Sequence, residues 1–139
     1  VQLTIEPPDD RFMAFVDREG LIKICSNLLS NAVKYAASRA AVSIGTITSQ
    51  DTMFTIRFSN DGKGIPDEFK EKVFEPFFRL RGTDQPGTGI GLSLAKSLAE
   101  LHNGSLLLLS GAADSTIFEL KLPIHQKFEF KLSSWKKLG

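Results

Sequence analysis

The sequence predicts an α+β fold: a two-layer α/β sandwich with helices on one face of a mixed, mostly antiparallel sheet. Three observations predict this class. Short segments rich in β-branched and aromatic residues recur along the chain, and other segments carry helical periodicity. The two kinds do not alternate strictly, as they would in a βαβ protein. A length of 139 residues suits one domain.

The first half of the chain is expected to hold two strand pairs around one long helix. Segments 2–5 and 12–16 read as strands separated by the turn EPPDD, and segments 41–48 and 53–59 read as a hairpin. Between these pairs, apolar residues at helical spacing predict a helix from about Arg18 to Ala37. Asp17 stands where an N-cap is expected.

The second half is expected to hold short helices, one longer helix and a last hairpin. The pattern DEFKEKVFEPFFRL over 67–80 predicts one or two short helices broken at Pro76, because proline lacks a backbone donor. An amphipathic helix is predicted over 90–102, with residues 90, 94, 98 and 101 as its apolar face and a C-cap at Asn103 and Gly104. SLLLLSG and STIFELKLP are predicted to pair.

Composition limits the classes of function. Seventeen basic and sixteen acidic residues give a net charge of +1, which argues against a general nucleic-acid binder. No apolar run approaches the ~20 residues that span a bilayer, and no signal peptide is present, so we expect no direct membrane contact. The single cysteine, Cys25, is expected to be a buried thiol. Because the chain starts at Val1 without methionine, we expect it to be a piece of a larger protein.

Residues 1–123 are expected to form the domain, and residues 124–139 a C-terminal tail or linker. In the tail, Phe128, Phe130 and Leu132 alternate with charged residues. This alternation leaves an additional edge strand open as an alternative.

A polar stripe runs along the otherwise apolar first helix. In NLLSNAVKY, Asn27, Asn31 and Lys34 lie at positions i, i+4 and i+7 and therefore share one face. Burying amides without polar partners is unfavourable. The stripe is therefore expected to meet something polar.

Two glycine clusters, DGKGIP at 61–66 and GTGIGL at 87–92, are candidates for phosphate binding. The second precedes a predicted helix, where backbone amides and the helix dipole favour an anion, although plain turn glycines remain an alternative. The familiar nucleotide motifs do not fit. A Walker A loop would need lysine where Thr88 stands, the glycines do not follow the Rossmann spacing, and the H-R-D and D-F-G elements of Ser/Thr/Tyr kinases are missing.

Taken in order, NLLSNAVKY, NDGKGIP, FEPFFRL and GTGIGLSLAKSLAELHNGSL resemble the N, G1, F and G2 boxes of the catalytic ATP-binding domain of sensor histidine kinases. That family shares a superfamily with DNA gyrase B, Hsp90 and MutL. The resemblance spans roughly residues 2–123 and implies the Bergerat ATP-binding fold. It implies ATP and Mg²⁺ as cofactors and transfer of the γ-phosphate to a histidine in two-component signal transduction.

The resemblance also implies partners and a location. The phosphoacceptor histidine would lie on a separate dimerisation domain of the same parent protein, and a response regulator receiver domain would act downstream. Neither His102 nor His125 stands in the H-E-x-x-x-P pattern of an acceptor. The domain would be cytoplasmic, with anchoring of the parent protein in the inner membrane left open.

By position, the resemblance gives catalytic roles to Asn27, Asn31 and Lys34. Asn31 would bind Mg²⁺ and bridge it to the ATP phosphates, with Asn27 assisting. Lys34 would contact phosphate, and Tyr35 would pack beside the adenine or ribose. Amide oxygens, phosphates and water are ligands that suit Mg²⁺.

The G1 segment departs from the family pattern. The family usually carries an aspartate two residues before the first glycine, where it accepts a hydrogen bond from the adenine amino group; here Asn60 stands there, followed by Asp61. Asn60 could accept through its carbonyl oxygen or donate to a ring nitrogen.

Residues 67–86 would form the ATP lid. The further nucleotide-binding residues implied are Asp61, Gly62, Gly64, Ile65, Phe78, Arg79, Gly87, Thr88, Gly89, Ile90, Gly91 and Leu92.

Position 27 separates chemistries within the superfamily. Its hydrolysing members carry a glutamate there as general base, and asparagine cannot deprotonate water. Transfer to a neutral imidazole needs mainly positioning and charge stabilisation, so a kinase is favoured over an ATPase of the MutL or gyrase kind.

A regulatory module that has lost catalysis and a serine kinase of the anti-sigma-factor type remain alternatives. Core packing also remains open for Phe74, Phe77 and Phe78 of FEPFFRL, as does a surface role for Arg79.

Overall fold

The computed structural model describes residues 1–8, 13–45, 47–48, 50–79, 89–109 and 114–125. Five strands form one sheet in the order β1-β2-β3-β5-β4, with β1 parallel to β2 and every other pair antiparallel. The strands are β1 (Gln2–Glu6), β2 (Arg39–Ile44), β3 (Met53–Asn60), β4 (Ser105–Leu109) and β5 (Thr116–Pro123). The helices are α1 (Arg18–Tyr35) and α2 (Gly91–Leu101), with short 3₁₀ helices at Asp67–Phe69 and Lys72–Phe74. The predicted α+β class is confirmed.

The core lies between the two long helices and the three strands β3, β4 and β5. Alternate residues of each strand face the helices, as the two-residue period of a strand requires. The buried strand residues are Phe54, Ile56, Phe58, Leu106, Leu108, Phe118, Leu120 and Leu122. Helix α1 contributes Ile24 and Leu28, and helix α2 contributes Ala95 and Ala99. Cys25 packs against this core, and burial raises the pKa of its thiol to about 11.

One predicted strand and two predicted element boundaries were wrong. Segment 12–16 is not a strand in its described part, because Phe15 makes only an isolated bridge with His125; residue 12 lies outside the described residues. Helix α1 ends at Tyr35 rather than at Ala37, since the backbone of Ala36 is already extended. Strand β2 ends at Ile44, before the predicted residue 48.

The predicted apolar face of α2 was wrong at three of its four positions, while the fourth, Leu98, packs against the core as predicted. Ile90, Leu94 and Leu101 are 42%, 46% and 62% exposed, whereas Ala95 and Ala99 are fully buried. Small residues allow a helix to approach its neighbours closely, so the alanines face the core and the larger side chains lie at the surface. Counting alanine as weakly apolar hid this orientation.

Asp17 occupies the N-cap position of α1, but its side chain makes no capping hydrogen bond. Its carboxylate instead contacts His102 at the far end of α2. The predicted short helices over 67–80 are confirmed as two 3₁₀ turns that both end before Pro76. In the described residues, neither long helix has the length and hydropathy needed to cross a membrane.

Strand β4 offers a matched test of where the core lies. Leu106 is 1% exposed, and its neighbour Leu107 is 48% exposed on the opposite face. We expect Leu106→Ala to lower the free energy of unfolding by about 2–5 kcal/mol, because it leaves a cavity. Leu107→Ala should change it by no more than about 0.5 kcal/mol. Urea unfolding of both variants measures the difference, and equal losses would contradict the assigned strand register.

Candidate functional site

The polar stripe on α1 lies at the border between core and solvent. Asn27, Asn31 and Lys34 are all partly buried, and Tyr35 at the end of the helix is 36% exposed. Nζ of Lys34 lies 5.3 Å from the centroid of the Tyr35 ring, within the range of a cation–π contact. The stripe therefore offers two amides and one cation on adjacent turns of a single helix.

The start of helix α2 lies against this stripe. A Cβ atom on Gly91 would stand 3.4 Å from Oδ1 of Asn27. The first backbone N–H groups of a helix have no partner within the helix, and the dipole makes that end positive. The fold therefore brings the amides of α1 beside an end of α2 that suits an anion.

The loop after β3 closes against the end of α1. A Cβ atom on Gly62 would lie only 1.9 Å from the carbonyl oxygen of Tyr35, so a side chain at residue 62 is excluded. Asn60 is 5% exposed, and its Oδ1 accepts a hydrogen bond of 3.0 Å from the Gly62 N–H. The N-box and G1-box segments therefore meet at residues 35 and 60–62.

Asp61 ties this loop to the turn between α1 and β2. Its Oδ1 accepts hydrogen bonds from the backbone N–H groups of Ala37, Ser38 and Arg39 at 3.0, 2.9 and 2.8 Å. The hydroxyl of Ser38 donates to Oδ2 at 2.6 Å. These bonds, the Ser38 hydroxyl first, hold the pKa of Asp61 well below its usual range. Both oxygens of Asp61 therefore serve the turn, and its predicted contact with nucleotide stays a prediction.

The FEPFFRL segment divides into packed and exposed aromatic rings. Phe74 packs edge-on against Phe118 with centroids 5.9 Å apart, and Phe78 packs on Phe69 at 5.8 Å. Phe77 is 74% exposed and has a positive φ of 66°. Core packing, left open by the sequence, therefore describes two of the three rings.

A backbone hydrogen bond joins the two ends of the segment that separates the F and G2 boxes. The N–H of Phe77 donates to the carbonyl oxygen of Gly89 at 2.9 Å. Gly89 has a φ of 74°, a conformation that glycine adopts without strain. The predicted residues Gly87 and Thr88 lie outside the described residues.

The other predicted residues are distributed between core and surface. Ile65 and Leu92 pack against the hydrophobic core, and Gly64 is partly buried. Ile90 and Arg79 are exposed. The fold thus brings together the amides of α1, the start of α2 and the loop after β3. Ile65 and Leu92 join two of these segments to the core.

The donors at this site suit a metal shared with a phosphate ligand better than a metal held by protein alone. Within the described ranges, no cluster of three or more His, Cys, Asp or Glu residues could hold a metal ion. Asn27 and Asn31 offer neutral carbonyl oxygens, which are hard ligands of the kind that Mg²⁺ accepts when phosphates complete its shell. The chemistry of the donor set therefore fits Mg²⁺ accompanied by a nucleotide.

Sequence reasoning missed three contacts that shape this region. They are the binding of the 37–39 turn by Asp61, the pairing of Asp17 with His102, and the Phe77–Gly89 hydrogen bond. Each joins segments that are distant in sequence, so no local spacing reveals it. His102 also caps the end of α2, because its Nδ1 lies 2.7 Å from the carbonyl oxygen of Leu98.

Comparison with protein families gives a match over most of the chain. Residues 16–126 match the family described as histidine kinase-, DNA gyrase B-, and HSP90-like ATPase. The catalytic domain of histidine kinase ThkA has a similar structure, with a TM-score of 0.73 and 25% sequence identity over 89% of this chain and 80% of that one.

Two bacterial relatives are similar in sequence. Histidine kinase P4 of Formosa agariphila is 37% identical over 87% of this chain, and the swarming motility regulation sensor protein RssA of Serratia marcescens is 36% identical over 88%. The chain corresponds to only 9% and 26% of the lengths of these two proteins.

The carboxylate of Asp61 provides a test that depends on pH. Because its pKa is lowered in the folded state, ionised Asp61 stabilises the fold at neutral pH, and this contribution is lost as pH falls below the ordinary aspartate value of about 3.9. Asp61→Asn should therefore lower the urea midpoint at pH 7 and approach the native midpoint in acid. Asp67→Asn, at a side chain that is 84% exposed, is the control. A difference that is independent of pH would contradict the role given to the carboxylate.

Gly62 provides a test of the close approach between the loop and α1. Gly62→Ala should destabilise the domain because its Cβ would overlap the Tyr35 carbonyl oxygen, and either the helix end or the loop must move. Gly45→Ala is the matched control, since a Cβ there meets its nearest atoms at 3.7 Å. Thermal unfolding of both variants measures the effect, and a midpoint for Gly62→Ala equal to that of Gly45→Ala would refute the contact.

Proposed function

Since the chain belongs to the family of histidine kinase-, DNA gyrase B- and HSP90-like ATPases, we propose that it binds Mg·ATP and transfers the γ-phosphate to a histidine on a separate domain of its parent protein. One observation carries this proposal. The amide stripe of α1 lies beside the start of α2, with Oδ1 of Asn27 3.4 Å from where a Gly91 Cβ would stand. This arrangement combines metal-binding oxygens with an anion-binding helix end.

In this proposal, each segment around the nucleotide site has a separate task. The N–H groups at the start of α2 bind phosphate oxygens, and Lys34 neutralises part of their charge. Tyr35 packs beside the base or ribose, while Gly62 and Gly64 let the nucleotide approach the backbone. Of residues 87–92, Gly91 keeps the start of α2 beside Asn27 free of a side chain.

Asn31 would hold Mg²⁺ through its amide oxygen, with Asn27 assisting. When bound, Mg²⁺ neutralises negative charge on the phosphates and orients them. The position of Asn31 one helical turn beyond Asn27 lets both amides face the same side of α1. Because these ligands are neutral, they hold a metal only weakly without phosphate, which makes nucleotide and metal binding mutually dependent.

Phosphoryl transfer requires little covalent chemistry from this chain. A lone pair of the acceptor imidazole forms the N–P bond while the bond from the γ-phosphorus to the bridging oxygen breaks, and that electron pair leaves with ADP. A neutral imidazole needs no general base, which agrees with asparagine at position 27, where hydrolysing members of the superfamily carry glutamate. The chain's own contribution is positioning and charge stabilisation.

The base-binding side carries the most informative departure from the family pattern. Oδ1 of the buried Asn60 already accepts the Gly62 N–H, so the NH₂ group is the part of this side chain best suited to meet the base. We infer that Asn60 donates to an adenine ring nitrogen, directly or through water. The same observation favours a second candidate function, a nucleotide-binding regulatory module without catalysis, should the base contact prove too weak.

The partners in this proposal are those that the family resemblance implies. The phosphoacceptor is a histidine on the dimerisation domain of the parent protein, and the phosphate passes onward to the receiver domain of a response regulator. The relatives P4 and RssA are named as a histidine kinase and a sensor protein and are several times longer than this chain, which supports a multidomain parent. The parent would present this domain in the cytoplasm.

Calorimetric titration with a non-hydrolysable ATP analogue tests the binding step. We expect Mg²⁺-dependent binding that Asn31→Ala weakens by at least about tenfold, because interactions with charged groups contribute about 1.5–3 kcal/mol. Ser30→Ala, at the exposed preceding residue, is the matched control and should bind as the native protein does. Equal affinity with and without Mg²⁺, or unchanged binding by Asn31→Ala, would refute the proposed metal site. Rapid hydrolysis of ATP by the isolated domain would instead favour an ATPase.

A further inference from the structure

An ion pair far from the proposed nucleotide site joins the two long helices. Nε2 of His102, the residue after the end of α2, lies 3.0 Å from Oδ2 of Asp17, the residue before the start of α1. The other ring nitrogen, Nδ1, lies 2.7 Å from the carbonyl oxygen of Leu98. The side chain of His102 is only 9% exposed, so both contacts are largely shielded from water.

The two contacts each require a proton on a ring nitrogen when Asp17 is ionised. A carbonyl oxygen can only accept, so Nδ1 must carry a proton, and an ionised carboxylate can only accept, so Nε2 must carry one as well. A neutral imidazole has a single N–H and can satisfy only one of the two. The carboxylate of Asp17 is 38% exposed. When Asp17 is ionised, only an imidazolium at His102 satisfies both contacts.

Both charges also lie at favourable ends of the helices. Asp17 places a negative charge at the N-terminal end of α1, and His102 places a positive charge at the C-terminal end of α2. Each complements the dipole of its own helix. The pair therefore stabilises the two helix ends and joins them to each other.

The ring is seated directly on the first turn of α1. Gly20 is buried beneath it, and a Cβ atom at this residue would stand 2.6 Å from Cε1 and 2.8 Å from Nε2 of His102. The ring thus occupies the space that a side chain at residue 20 would take. Two of the contacts between α1 and α2 lie at Gly20 beside His102 and at Asn27 beside Gly91.

We propose that Asp17 and the His102 imidazolium form a clamp that positions the amide stripe of α1 against the start of α2. The helices run antiparallel, so fixing the end of α2 on the first turn of α1 limits sliding at Asn27 and Gly91, about 10 Å further along α1. Asp17 and His102 are positioning residues that do not touch the nucleotide. The effect on nucleotide binding rests on the proposed function, whereas the ring protonation does not.

The protonation is tested without nucleotide. In ¹⁵N–¹H correlation spectra of His102, we expect protons on both ring nitrogens of the native protein. Asp17→Asn removes the need for a proton on Nε2, because the asparagine NH₂ can donate to an unprotonated Nε2 while Nδ1 keeps its bond to Leu98. That variant should therefore show a proton on Nδ1 only. A native ring with a single proton would overturn the imidazolium in this proposal whether or not the domain binds ATP.

The positioning is tested with His102→Leu. In the absence of nucleotide, we expect shifted signals for the Asn27 side-chain amide and the Gly91 backbone N–H, and affinity for the ATP analogue lower by about twofold to thirtyfold. Asp17→Asn, which keeps a neutral hydrogen-bonded pair, should retain most of the affinity. Leu101→Ala, at an adjacent residue that is 62% exposed, is the control and should leave both signals in place.

These outcomes separate the clamp from a purely structural contact. If His102→Leu lowers the unfolding midpoint but leaves the signals of Asn27 and Gly91 unchanged, the positioning proposal is wrong. If the signals move and the native protein binds no nucleotide, the clamp stands and the proposed function fails. Asp17→Ala, which removes the partner of the ring and leaves the histidine in place, keeps the positioning test decisive should His102→Leu fail to fold, because unchanged signals of Asn27 and Gly91 would refute the positioning in that variant too.

Discussion

Helix α1 must fill the core with one face and present polar groups with another, and the site depends on this double constraint. Gly20, Ile24, Leu28 and Ala32 recur every four residues on its buried face. Because successive residues of a helix are about 100° apart, burying Leu28 and Ala32 carries the residues just before them, Asn27 and Asn31, to the rim of the core. Core packing therefore sets the direction of the amides, and a rotation of the helix would bury amide groups or expose apolar ones.

The ends of α1 are fixed by contacts that continue into the other segments of the site. At its start, Asp17 and Gly20 meet His102 of α2. At its end, Asp61 binds the following turn, and the neighbouring Gly62 passes beneath the Tyr35 carbonyl group. Contacts at both ends of α1 thus join this helix to the loop after β3 and to α2.

The sequence predicted what depends on local pattern and on ordered motifs. The α+β class, helix α1, most strands and the short helices before Pro76 are confirmed, because apolar periodicity and proline act locally. It failed where small residues or distant partners decide. Ala95 and Ala99 face the core in place of Leu94 and Leu101, and Asp17 pairs with a histidine 85 residues away instead of capping its own helix. The hydrogen bonds from the 37–39 turn to Asp61 also join distant segments, so no local pattern predicts them, and the nucleotide contact of Asp61 stays a prediction.

The central claim is that this domain transfers the γ-phosphate of ATP to a histidine, and an assay of phosphoryl transfer tests it most directly. The domain would be mixed with the histidine-bearing dimerisation domain of its parent protein and ATP labelled in the γ-phosphate, with and without Mg²⁺. The account predicts Mg²⁺-dependent label on the partner, stable to alkali and labile to acid as a phosphorus–nitrogen bond is, and its loss on replacing the acceptor histidine. Bound nucleotide without transfer, or label on a serine, would contradict the account.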